Sequence, residues 1–208
     1  MRKTVTEFIR QCVVCQRQKA SHQQPTGLLQ PLPIPNQVWE DITMDFVEAL
    51  PRSEGFDTVL VVVDRLSKYA HFIGLRYPFT ASTVAHTFVK EVVRLHGFSA
   101  SIISDRDKSF MSKLWTELFE LQRSTLLRST AYHPQTDGQS EIVNQALETY
   151  IRCFVNGQPR QWSKWLHWAE YCYNTAPHMS IKMSPFMALY GRPPPSLTRF
   201  GNNITPVD

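Results

Sequence analysis

Long apolar runs are missing from this chain. The longest strongly apolar stretch, Thr58 to Val63, is only long enough for a strand. The basic start MRKTVTEFIRQCVVC carries no sustained apolar segment. Neither a membrane span nor a secretory leader is expected, and a reducing compartment is the default. A strong excess of one charge is missing too. The 208 residues hold 22 Lys and Arg against 18 Asp and Glu, a net charge of +4, and the surplus lies before residue 25. Up to Gln24 five basic residues face one acid, and the remainder balances at 17 against 17. Charge alone is therefore only a mild sign of a nucleic-acid partner. Metal-ligand spacing is absent among His71, His86, His96, His167 and His178, and there is no internal repeat. What remains is a chain with 42% hydrophobic and 12% aromatic residues, enough for one main domain with a sizeable core plus appendages.

The segment FIRQCVVCQRQKASHQQPTG reads as the end of a small unit and a polar linker, continued by the extended, Pro-rich LLQPLPIPNQVWE. A boundary is expected near residues 25–35. Alternation in ITMDFV, the run TVLVVVD and the segment YAHFIGL predict three short strands joined by tight turns, an antiparallel meander. Helical spacing follows, with Val84, Phe88, Val92 and Leu95 on one face and His96-Gly97 as the stop. ASIISD predicts a short buried strand, SFMSKLWTELFELQ a helix and STLLRST a further strand. IVNQALETYIRCFV and WSKWLHWAEYCYNT are two strong helices, and SPFMALYG a short one before RPPP. The resulting class is α/β, with a mixed five-stranded sheet flanked by helices.

Acids at the ends of strands are the residues to compare, because functional side chains concentrate there. The set is Asp45, Asp64, Asp105 and Asp107. Asp45 stands inside an apolar strand, where an unpaired carboxylate is costly, so it needs compensation, by a metal or by an arginine such as Arg128. Asp105 closes the fourth strand, which can lie beside the first. Glu141 opens a helix that can cross both; read alone, it is a first-turn acid favoured by the helix dipole. Three carboxylates meeting without His or Cys repel one another unless hard cations neutralise them, which suits Mg²⁺ or Mn²⁺. Two such ions can activate a nucleophile and stabilise a leaving oxygen in phosphoryl transfer.

The blocks WEDITMDFV, VVVDRLSKYAHF, SDRDKSF, TAYHPQTDGQSE and YNTAPHMSIKMSPFMALYGRPPP, in this order, resemble those of the integrases of gypsy-type long-terminal-repeat retrotransposons, within the retroviral integrase superfamily. The 35 residues between Asp105 and Glu141, residues 106–140, match that family's spacing of catalytic Asp and Glu. The resemblance implies a ribonuclease H-like fold, two Mg²⁺ (or Mn²⁺) ions per site, and catalytic and metal-binding roles for Asp45, Asp105 and Glu141. It implies that YHPQTDGQS is a mobile loop beside the site, from which His133 and Gln139 reach DNA. Asn144 matches an asparagine near metal and DNA in relatives. DNA and further copies of the chain are the implied partners, with no membrane, and the nucleus is the implied compartment.

By the same resemblance, residues 1–24 are the end of a zinc-binding domain, 25–37 a linker, 38–195 the catalytic core and 196–208 a tail. Cys12 and Cys15 form half of a zinc site, and the two His ligands of the family's pattern would have to precede Met1. Zinc is therefore not expected to be held by this chain. Asp64 reads as structural, and Asp107 as a neighbour of the ligand Asp105. Trp162, Trp165 and Trp168, at helical spacing, read as packing or an oligomer surface before a base-stacking platform. Cys153 and Cys172 read as buried thiols. The expected activity is metal-dependent trimming of DNA 3′ ends and their transfer to target DNA. The alternative is a catalytically silent, domesticated DNA-binding or protein-interaction module, which loss of any of the three acids would favour.

Overall fold

The computed structural model describes residues 7, 8, 10–13, 34–106, 108–122, 138–155 and 157–195, with the side chains of residues 108, 119, 122 and 138–141 excepted. Strands β1 (Asp41–Val47), β2 (Thr58–Asp64) and β3 (Ala70–Leu75) form the expected antiparallel meander. Strand β4 (Ser101–Ile103) pairs parallel with β1, so the sheet is mixed and its order is β3-β2-β1-β4. The fifth expected strand, in residues 124–130, lies outside the described residues.

Helices cover both faces of this sheet, which is why β2 is buried along its whole length and apolar from Val59 to Val63 instead of alternating. Leu60 and Val62 point to one layer, packing with Ile42, Met44 and Ile102 beneath Val84, Phe88, Met111 and Leu114. Val59, Val61 and Val63 point to the other, against Val143, Leu147, Ile151, Leu166 and Ala169. The first layer is built by helix α1, which opens at Ala81–Phe88, and by α2 (Lys108–Gln122). The second is built by α3 (Gly138–Val155) and α4 (Trp162–Thr175), with a short α5 (Pro185–Tyr190) beyond.

Helix α1 departs from the expected face. After Phe88 it continues as a π-helical segment, Val89–Val93, before a last turn, Arg94–His96. A wider turn shifts the buried face by about one residue. Leu95, expected inside, is 52% exposed, and His96 turns inward instead. Its ring stacks on Trp39 at 3.9 Å between centroids, and its Nε2 lies 2.9 Å from the Nε2 of His71. The Nδ1 of His71 lies 3.1 Å from the Glu170 carboxylate, which also accepts from the Phe72 amide.

This pair makes a pH prediction with a definite sign. Burial, and then the neighbouring His71 ring, push the His96 pKa down from 6.5 to about 4. Across that window the unfolded chain binds the proton and the folded chain does not. Stability should therefore fall as pH drops from about 6.5 to about 4 and not depend on this group above it. Thermal melts of His96→Gln should show a flatter slope over the same window. An unchanged slope would assign the acid sensitivity to other groups.

Candidate active site

Strand β1 delivers Asp45 from the middle of the sheet. Its backbone is paired with Val61 of β2 on one side, and its half-buried carboxylate accepts the Phe46 amide at 2.7 Å. The second contact comes from another layer. Asn144 of α3 donates its Nδ2 to Asp45 Oδ2 at 2.6 Å. An arginine partner for Asp45 was the competing expectation; Arg128 lies outside the described residues.

The bond to Asn144 ties the start of α3 to β1. Glu141 stands three residues earlier in the same helix, and residues three apart share a helix face. The helix begins at Gly138, not at Glu141 as expected. Glycine is costly in a helix interior, but in the first turn the amides lack helical partners anyway. Only the backbone of Glu141 and Gln139 is described, and His133 and Asp107 lie outside the described residues.

Asp105, expected to close the fourth strand, lies two residues past the end of β4. Each paired β1 residue faces the β4 residue numbered sixty higher, from Asp41 with Ser101 to Thr43 with Ile103. The last of these pairs is Thr43 with Ile103, and Asp105 lies exposed in the bend beyond it. The register is anchored upstream: the Glu40 carbonyl accepts the amides of Ala100 and Ser101 at 2.7 and 3.1 Å, and Ser101 Oγ donates to Asp41. Asp64, by contrast, is fully buried and spends its carboxylate on the amides of Trp39 and Ser67 and on the Ser67 hydroxyl.

A divalent ion fits the donors present. They are all oxygens, and Asn144, having given its amine to Asp45, is left with a buried Oδ1 that has no partner among the described residues. Such an orphaned acceptor beside a carboxylate suits a cation or its bound water. Among the described residues no three His, Cys, Asp or Glu side chains gather as a metal site. Among the described side chains, the structure brings Asp45 and Asn144 together. An apolar cavity of about 690 Å³ between α3 and residues 176–181 is lined by Ile142, Ala146, Tyr150 and Met179 and by neither Asp45 nor Asp105.

The tryptophans divide as packing residues with one exposed member. Trp162 is buried and donates its indole NH to the Pro51 carbonyl, and Trp165 stacks on Phe154 at 5.6 Å. Trp168 is 41% exposed and meets Tyr171 edge-on. Cys153 and Cys172 are half-buried; burial pushes the Cys172 thiol pKa up. Cys12 is half-buried, and Cys15 lies outside the described residues. No described helix is long and apolar enough to cross a membrane.

No protein-family model matches the chain. Among curated proteins, the transposon Tf2-3 and Tf2-4 polyproteins of Schizosaccharomyces pombe are each 36% identical over 186 residues, 89% of this chain. The chain spans only 14% of the length of either. Among solved structures, a simian T-cell lymphotropic virus intasome with the PP2A regulatory subunit B56 gamma matches at a TM-score of 0.57 and 15% identity, over 99% of this chain and 72% of that one. The HTLV-2 integrase catalytic core in complex with magnesium, in a trimeric form, matches at 0.56 and 14% identity, over 76% of this chain and 98% of that one. The fold is accordingly ribonuclease H-like.

Proposed function

Because the chain belongs to the integrases of gypsy-type long-terminal-repeat retrotransposons, we propose that its core is a polynucleotidyl transferase that trims DNA 3′ ends and joins them to target DNA. One observation carries this reading: Asn144 of α3 is bonded to Asp45 of β1, and Asp105 follows β4, the strand paired beside β1. From that arrangement Asp45, Asp105 and Glu141 are the residues to hold two Mg²⁺ or Mn²⁺ ions. When bound, the ions would activate the attacking oxygen, first of water and then of a DNA 3′ hydroxyl, and stabilise the leaving oxygen.

The chain's own part is positioning. Asp45 is fixed by strand pairing, and Asn144 orients one of its oxygens, so this acid arrives on a rigid element. No side chain needs to form a covalent intermediate. His133, Gln139 and Asn144 are the proposed DNA contacts, and most of the grip should fall on phosphates, making target choice weakly sequence-specific.

DNA and further copies of the chain are the proposed partners. The simian viral neighbour is an intasome, and the HTLV-2 core occurs in trimeric and dimeric forms. The exposed edge of α4 at Trp168 is a surface available for self-association. Residues 38–195 form the proposed catalytic core, preceded by a linker over 25–37 and the end of a zinc domain over 1–24, and followed by a tail. No zinc is assigned to Cys12 and Cys15, and the nucleus is the proposed place of action.

The test is reversal of strand joining on a branched DNA by the purified chain with Mn²⁺. Metal-dependent release of the joined strand is expected. A folded chain that binds both DNA and Mn²⁺ yet never resolves the branch would fit a silent module and sink the reading.

A further inference from the structure

Two residues past the last β1–β4 pair, sheet hydrogen bonding no longer accounts for where Asp105 sits. Asp45 keeps its partner in β2, but Asp105 is exposed and follows a strand that ends at Ile103. The next residue supplies what the sheet does not. The guanidinium carbon of Arg106 lies 4.4 Å from the centroid of the Phe46 ring, and 5.5 and 5.8 Å from those of Phe79 and Phe110. Its Nη2 contacts the carboxylate of Glu48.

The rings are themselves locked together. Phe46 stacks on Phe79 at 5.1 Å with planes 6° apart, and meets Phe110 edge-on at 6.0 Å and 90°. Three elements thus converge on one cation: the end of β1, the turn before α1 and the first turn of α2. Side chains alternate along a strand, so Phe46 points away from the face on which Asp45 meets Asn144. The arginine charge is engaged on the far side of the sheet from Asp45.

We propose that Arg106 is a positioning residue: seated in the cage of Phe46, Phe79 and Phe110, it fastens the loop carrying Asp105 to the strand end carrying Asp45. Arg106 follows one aspartate as Phe46 follows the other, so their contact joins the two acids' neighbours directly. The inference rests on the reading of Asp45 and Asp105 as metal ligands. Two carboxylates that must meet one pair of ions repel one another before the ions arrive, and the cage holds them without adding a donor to the site. A planar guanidinium suits this place because it covers a ring face and reaches a carboxylate at once.

The test is Mn²⁺ binding to the whole chain without DNA, followed by the electron paramagnetic resonance signal of the free ion, with melting temperature alongside. Arg106→Met should weaken binding about tenfold, the low end of the ~10–100-fold typical for outer partners of metal ligands. Arg106→Lys should recover part of this, and Phe79→Leu, which leaves every charge in place, should fall between Met and wild type. In the branched-DNA assay kcat should drop while KM and its salt dependence stay fixed. Wild-type Mn²⁺ affinity in Arg106→Met would overturn the proposal. So would a raised, salt-sensitive KM with metal affinity intact, which would make Arg106 a phosphate contact. Should Arg106→Met fail to fold, unchanged Mn²⁺ affinity in both Arg106→Lys and Phe79→Leu would overturn it equally. Asp105→Asn separates the two levels. If it binds Mn²⁺ as well as wild type, the metal reading itself falls; if it loses Mn²⁺ while the Arg106 and Phe79 variants do not, only the clamp falls.

Discussion

Asp105→Asn is expected to lower metal-dependent resolution of a branched DNA by about 10³-fold or more with little change in melting temperature. The amide keeps the shape of the carboxylate and removes the charge that holds a hard cation, whose stabilisation of transition-state charge is worth several kcal/mol. At about 1.36 kcal/mol per factor of ten, that is a loss of three orders of magnitude. Asp105 is exposed, so the fold does not depend on its charge. Glu141→Gln should behave alike. Asp107→Asn should be far milder, because the family's spacing of 35 residues to Glu141 is counted from Asp105, not from residue 107. If Asp107→Asn were inactive and Asp105→Asn active, the register through SDRDKSF would be wrong, and the 35-residue spacing to Glu141 would fail with it.

The parts of this site legible in the sequence were those set by short-range patterning. Alternation around Asp45, the apolar run of β2 and the short ASIISD strand are local signals, and together they put β4 within reach of β1. The order β3-β2-β1-β4 then follows from a meander with its fourth strand added beside the first. Asn144 was legible only through the family resemblance, since nothing in its neighbours marks an asparagine nearly two turns into a helix as a partner of a strand aspartate.

What sequence could not show arises from long-range geometry. The π-helical segment at Val89–Val93 has no signature in VKEVV, so the inward face was carried on to Leu95 and the pairing of His96 with His71 went unread. The aromatic cage was invisible for a similar reason. Phe46, Phe79 and Phe110 have no mutual spacing, and each alone looks like an ordinary core residue. Arg106 itself reads as one more basic residue in a neutral body until three elements fold around it.

Asp64→Asn should have the opposite signature to Asp105→Asn, a large loss of stability with metal binding retained in the folded fraction. Asp64 is 0% exposed at the end of β2. One oxygen accepts the Trp39 amide at 2.9 Å from 25 residues away, and the other accepts the Ser67 amide at 2.8 Å and the Ser67 hydroxyl. A single side chain therefore closes the β2–β3 turn and holds Trp39, whose ring stacks on His96, at the entrance to β1. An amide in its place can serve only one of these sets, and its NH₂ must face donors that already point at it. Hydrogen bonds to a charged acceptor contribute about 1.5–3 kcal/mol each, and a buried donor left unpaired costs about 1–3 kcal/mol. A loss of about 3 kcal/mol is expected, which for a chain of this size lowers the melting temperature by about 6–12 °C. A variant that melts within a degree of wild type but no longer binds Mn²⁺ would move Asp64 from the scaffold into the metal site, and the assignment of Asp45 and Asp105 as the aspartate pair would have to be redrawn around it.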